Sequence, residues 1–146
     1  DIDADGSGEK AREALAWKQA YADQCDAQMA IVTQFAFDAH AVVDWADMLL
    51  EGGIRMPVHI GLAGPTKLQT LIKFAIACGV GPSLKVLQKR ALDLTKLLTL
   101  YEPAEILQDL SNLLSEGRAE NIECIHFFPL GGISSTAQWL GQRTAT

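Results

Sequence analysis

The sequence predicts an α/β protein built on a short parallel β-sheet. Three observations carry that prediction. Apolar, β-branched runs bounded by polar residues recur at roughly 29–34, 57–62 and 122–128, the pattern of strands buried in a parallel sheet. Stretches with helical apolar spacing lie between them, which implies parallel pairing through right-handed crossovers. Glycine and proline mark the joins, at Gly52-Gly53, Gly64-Pro65, Gly117 and Gly131-Gly132.

Asp1 to Gly8 read as an exposed acidic lead-in, with Ser7 capping the helix that follows. Asp1, Asp3, Asp5 and Gly6 imitate the start of an EF-hand calcium loop. The imitation fails at Gly8, where an aliphatic residue is required, and at Arg12, where a glutamate must close the site. A helix is expected from Glu9 to about Gln24, with Ala11, Leu15, Tyr21 and Ala22 for its apolar face. The first strand ends at Gln34, and a helix over 39–51 follows, carrying Ala41, Val42, Trp45, Met48 and Leu49.

The second strand is Pro57–Leu62. Pro65 or Thr66 opens the next helix, whose core stripe is Leu68, Leu71, Ile72, Ala75 and Ile76. A leucine-rich helix over 82–100 and a helix from Pro103 to about Leu114 lead to the strand Ile122–Phe128, and a last helix runs from Ser134 to about Gln142. Trp17, Trp45 and Trp139 fall one to a helix, as anchors between layers. Three strands leave two open edges and bury too little for this many helices. The single segment 1–146 is therefore either a small open sandwich or a portion of an eight-stranded (β/α)8 barrel of roughly 250 residues.

Composition removes several classes of function. Net charge is −6 and no run of Lys/Arg could track a phosphate backbone, which argues against nucleic acid and anionic membranes. No apolar run approaches the ~18 residues of a membrane span, and no signal peptide is visible. Cys25, Cys78 and Cys124 are widely spaced and odd in number, as in a reducing compartment, so the chain reads as cytoplasmic. His40, His59 and His126 have no metal-ligand spacing; His59 and His126 are expected in strand interiors as hydrogen-bonded core histidines, and no metal is expected. Nucleophile-elbow, P-loop and dinucleotide-binding signatures are absent. Gly131-Gly132-Ile133-Ser134-Ser135 places N–H groups and hydroxyls at a helix start, where barrels often take phosphate, although a glycine turn with a serine cap explains it more simply.

Gln34 is the residue with the clearest chemistry. Ligands of α/β folds sit at the carboxyl ends of strands, and a buried glutamine there offers an acceptor and two donors to a heterocycle presenting both kinds of group.

Ile31-Val32-Thr33-Gln34-Phe35-Ala36-Phe37-Asp38 resembles the I-T-Q-F-F-F-D segment of the methylenetetrahydrofolate reductase family. The similarity continues in order through Pro57–Leu62, Lys73-Phe74-Ala75 and Ile125-His126-Phe127-Phe128-Pro129-Leu130, and spans about residues 12–140. It implies a partial TIM barrel, strands six to eight of a flavin-containing β/α barrel. It also implies a reaction: reduction of 5,10-methylenetetrahydrofolate to 5-methyltetrahydrofolate by hydride transfer from NADH or NADPH through FAD, the cofactor carrying the hydride chemistry.

By the same resemblance Gln34 grips the pterin and Phe74 packs on the folate or nicotinamide ring. Thr70 stands where the family can place a second glutamine, with Gln69 beside it, and Lys18 and Glu13 are candidates for flavin contact. Gly131-Gly132 replaces the family's Asn-Arg after the last strand, so an arginine contact to substrate is missing. The general acid and most FAD contacts belong to the missing N-terminal half, so no catalytic residue is assigned here. The chain alone is expected to be inactive, requiring that half from the same gene product or a separate chain, and assembly into a homo-oligomer is expected. Two other readings remain: a flavin-independent tetrahydrofolate-dependent methyltransferase or demethylase barrel, and a non-catalytic half-barrel that pairs through its sheet edges.

Overall fold

A computed structural model describes residues 8–79 and 100–144. Its elements are α1 (Glu9–Ala22), β1 (Ile31–Phe35), α2 (Ala39–Glu51), β2 (Val58–Ala63), β3 (Thr66–Lys67), α3 (Leu68–Ala77), β4 (Leu100–Tyr101), α4 (Ala104–Ser115), β5 (Ile122–Phe128) and α5 (Ile133–Thr144). The protein is thus mixed α/β, with a three-stranded parallel sheet in the order β1-β2-β5 and five helices among the described residues. A second, antiparallel pair joins β3 to β4.

The central strand sets the two faces of the sheet. Val58, Ile60 and Leu62 alternate along β2 with no exposed surface, and they pack with Val43, Ala46 and Leu49 of α2 and Ile106, Leu110 and Leu113 of α4. Each such side chain contributes about 1.5–3 kcal/mol by leaving water. Both helices lie on this one face, against each other. Asp38 starts α2, its Oδ1 accepting the Ala41 N–H at 3.1 Å. Gly53, at φ 81°, takes the left-handed turn that ends it.

The opposite face is covered only in part. At the carboxyl ends of the strands, Phe35 and Ala63 join Leu68, Leu71 and Ala75 of α3 and Tyr101 of β4 in a second cluster. Nearer the amino ends Val32 is 53% exposed, Cys124 and His126 are exposed, and His59 bonds Glu123 at 2.8 Å (Nε2 to Oε2). Neither histidine is the core residue expected: His59 is hydrogen-bonded but only half-buried, and the exposed His126 ring packs edge-on against Phe128.

Several expectations need correction. Thr66–Lys67, expected to start a helix, instead pairs with Leu100–Tyr101, and Leu100 therefore belongs to a strand. The remainder of the expected leucine-rich helix, the acidic lead-in before Gly8 and the Ser7 cap lie outside the described residues. Gly8, at φ 69°, is the N-cap of α1, with no side-chain cap bond. Trp17 does not anchor a layer: it is 70% exposed and stacks on Tyr21, itself 52% exposed. Ile76 also falls outside the core, since Leu68, Leu71 and Ala75 alone complete the buried stripe of α3. Among the described residues, no helix is long and apolar enough to cross a membrane.

Candidate functional site

The carboxyl end of β1 departs from a regular ladder. Val32 pairs with His59, but the next pair is Phe35 with Gly61, so β1 spends one residue more than β2 over this step. Such a bulge disturbs the ladder and redirects side chains. Thr33 stabilises it: its Oγ1 accepts the Gly61 N–H at 2.9 Å and donates to the Gln34 carbonyl at 2.8 Å. The ladder resumes where the Ala36 N–H donates to the Gly61 carbonyl at 2.9 Å. Glycine is required opposite the bulge, because a Cβ at position 61 would lie 2.5 Å from the Thr33 oxygen and 2.7 Å from that of Gln34.

This geometry corrects the expectation of a buried Gln34. The Gln34 side chain is exposed, while Phe35 beside it is buried. Gln34 lines a shallow cleft of about 290 Å³ at the carboxyl end of β1, together with Phe37, Asp38, and Val42 and Trp45 of α2. Behind it runs a chain of edge-to-face rings, from Phe128 to Phe35 (5.8 Å), Phe35 to Phe37 (5.8 Å) and Phe37 to Tyr101 (5.9 Å).

Thr70 and Phe74 lie one turn apart on α3, half-buried and 42% exposed respectively. Packing of Phe35 against Leu68, Leu71 and Ala75 brings α3 to the same end of the sheet as Gln34. The cleft lined by Gln34 nevertheless includes neither Thr70 nor Phe74.

Glu13 and Lys18 are placed elsewhere. Glu13 lines a separate, mainly apolar cleft of about 510 Å³ between α1 and α2, bordered by Gly52 and Ile54. Lys18 is exposed and precedes Gln19, whose Oε1 accepts the Arg55 and Met56 N–H groups at 2.7 and 2.9 Å. Residues 52–56 lead into β2, and Trp45 of α2 lines both the Glu13 cleft and the one at Gln34.

The turn after β5 is built on its two glycines. Gly131 lies so close to the Pro65 carbonyl that a Cβ there would collide with it, and Gly132 has φ 111°. The Gly132 carbonyl accepts both the backbone N–H and the hydroxyl of Thr136 at 3.1 Å. Ser134 and Ser135 are exposed. Among the described residues, no group of three or more His, Cys, Asp or Glu side chains is arranged to hold a metal ion.

Sequence reasoning missed Thr33, Gly61 and Phe128. Thr33 and Gly61 stand in the quoted motifs, but their roles exist only once β1 and β2 are paired. No model of a known protein family matches this chain.

Proposed function

We propose that this chain is the C-terminal half of a methylenetetrahydrofolate reductase-like β/α barrel, contributing the pterin-binding side of a flavoenzyme. The observation that carries the reading is the exposed carboxamide of Gln34 at the carboxyl end of a parallel strand, the end at which barrels bind their ligands. One amide there meets the amino and ring-nitrogen groups of a pterin edge in a two-pronged contact.

The winding of the sheet supports a partial barrel, strands six to eight. Strand order advances in one direction, β1-β2-β5, and α2 and α4 stay on one face, while α3, also between β2 and β5, caps the carboxyl end of the other. A barrel is wound this way, helices outside, with the other face turned to the interior. Parallel sheets are ordinarily covered on both faces, so the exposed Val32, Cys124 and His126 suit a sheet completed by further strands.

In this reading NADH or NADPH is the reductant, FAD the hydride carrier and 5,10-methylenetetrahydrofolate the acceptor. Glu13 and Lys18 are the candidates for flavin contact from this chain, while the general acid and most flavin contacts fall to the complementary half. This chain binds and orients folate through Gln34, while Phe74 and Thr70 of α3 stand at the same end of the sheet but outside the cleft that Gln34 lines.

The test is a longer polypeptide carrying about five further β/α units ahead of this chain, enough to close an eight-stranded barrel. It is expected to take up FAD, absorb as a flavoprotein and oxidise NADH or NADPH when given the folate. A colourless protein without that oxidation overturns the reading. Folate binding without flavin uptake selects a flavin-independent tetrahydrofolate-dependent methyltransferase or demethylase barrel instead.

A further inference from the structure

We infer that Thr33 is a positioning residue for Gln34, its hydroxyl standing in for a strand carbonyl and holding the bulge that keeps the Gln34 carboxamide exposed at the site. The inference rests on the pterin-binding reading above and adds to it the device that presents the amide.

In a regular parallel ladder the Gly61 N–H would donate to a β1 carbonyl. Here the Thr33 and Gln34 carbonyls crowd the side of Gly61 where a Cβ would stand, at 2.5 and 2.7 Å from that position. The Thr33 hydroxyl takes the vacated role. As acceptor it satisfies the Gly61 N–H at 2.9 Å, and as donor it fixes the Gln34 carbonyl at 2.8 Å. A hydroxyl is both donor and acceptor, so one side chain closes both ends of the irregularity. Fixing the Gln34 carbonyl fixes the peptide plane between Gln34 and Phe35, which divides the two side chains between solvent and core.

Valine has the shape of threonine without the hydroxyl, and would take away the partner of the half-buried Gly61 N–H and of the exposed Gln34 carbonyl. The favoured relaxation is loss of the extra residue from the bulge. A one-residue slip reverses which side chains face the core, so Gln34 and Phe35 would exchange environments. Serine keeps the hydroxyl and should keep the bulge.

The experiment uses the full 146-residue chain, isotopically labelled, as wild type, Thr33→Val, Thr33→Ser and Gln34→Ala. Hydrogen exchange at the Gly61 amide and the side-chain amide resonances of Gln34 report the bulge without any ligand, and titration with 5-formyltetrahydrofolate reports binding. Thr33→Val is expected to speed Gly61 exchange and weaken binding, each by about tenfold, the scale of one lost hydrogen bond. Thr33→Ser is expected to restore both, and Gln34→Ala to weaken binding while leaving Gly61 exchange unchanged.

Unchanged Gly61 exchange and Gln34 resonances in Thr33→Val overturn the positioning role, as does a Thr33→Ser chain that loses Gly61 protection, even if the valine variant does not fold. If wild type fails to bind the folate, or Gln34→Ala binds it equally well, the pterin reading fails, and the exchange data still decide whether Thr33 holds the bulge.

Discussion

Arg118 sets both Nε and Nη2 on one oxygen of Asp47, at 2.9 and 2.6 Å, and the other oxygen of that carboxylate accepts the Ala119 N–H at 2.7 Å. Nη2 also reaches Asp44, one turn earlier on α2, at 2.7 Å. The link ties α2 to the segment leading into β5. It also braces Ala119, a buried residue held at φ 49°, a conformation that side-chain-bearing residues seldom adopt. The Ala119 N–H, and then Arg118, hold the Asp47 carboxyl below its ordinary value of 3.8, while Asp44 and Asp47 hold the Arg118 guanidinium above its own.

A carboxylate whose folded value is depressed stabilises the fold above its unfolded value and loses that contribution as pH falls through the folded value. Asp47→Asn should therefore lower the urea midpoint at neutral pH. The gap to wild type should then close as pH drops below 3.8. Urea titrations at neutral and acidic pH measure both effects, and a gap that persists in acid assigns the loss to geometry rather than charge.

Gly61→Ala should destabilise the protein by about 1–3 kcal/mol, the usual cost of forcing a methyl into filled space. The obstruction is backbone: two carbonyl oxygens of β1, with the Phe128 ring at 2.7 Å on another side. Chemical denaturation measures the loss. An alanine tolerated without change would mean that the two strands separate more readily than this packing implies.

Asn121 is buried, and among the described residues neither its Oδ1 nor its Nδ2 has a hydrogen-bond partner, although its backbone carbonyl takes the Val58 N–H at 2.7 Å. Removing an unsatisfied buried amide relieves a penalty of roughly 1–3 kcal/mol. Asn121→Leu, similar in volume and retaining the carbonyl, is expected to raise the melting temperature. A drop would show that the amide meets a partner in solution.

Among the described residues, β1 and β5 each pair with β2 alone, leaving an open edge on both sides of the sheet. Open edges beside an exposed apolar side chain favour association. Size-exclusion chromatography should find the isolated chain larger than a monomer, and Val32→Lys should shift it toward the monomer. Val32 is 53% exposed, so the lysine should leave stability within about 0.5 kcal/mol of wild type.

Local signals located the elements whose causes are local. Asp38 and Gly52-Gly53 bracket α2 at both ends, and the helix expected over 39–51 is the one observed. The strand Ile122–Phe128 also stands as expected, because its turn signals flank it directly. The strand Thr66–Lys67 was not legible, since its partner Leu100–Tyr101 is distant in sequence and Pro65 alone reads as a helix start. The exposure of Gln34 was hidden for a related reason: a bulge is a relation between two strands, and the residues making it, Thr33 and Gly61, are 28 apart. Aromatic rings misled in α1, where Trp17 and Tyr21 meet each other instead of the core.

No residue of α1 is fully buried, and Leu15 and Ala22 touch the main core only from its margin. The Gln19 Oε1, shared between two N–H groups, tethers it to the segment ahead of β2. Partial openings begin where few apolar contacts must be broken. This helix should accordingly be the first to peel away, offering a protease its cut sites while the strands remain folded, and Gln19→Ala should hasten that cleavage without moving the global unfolding midpoint to the same degree.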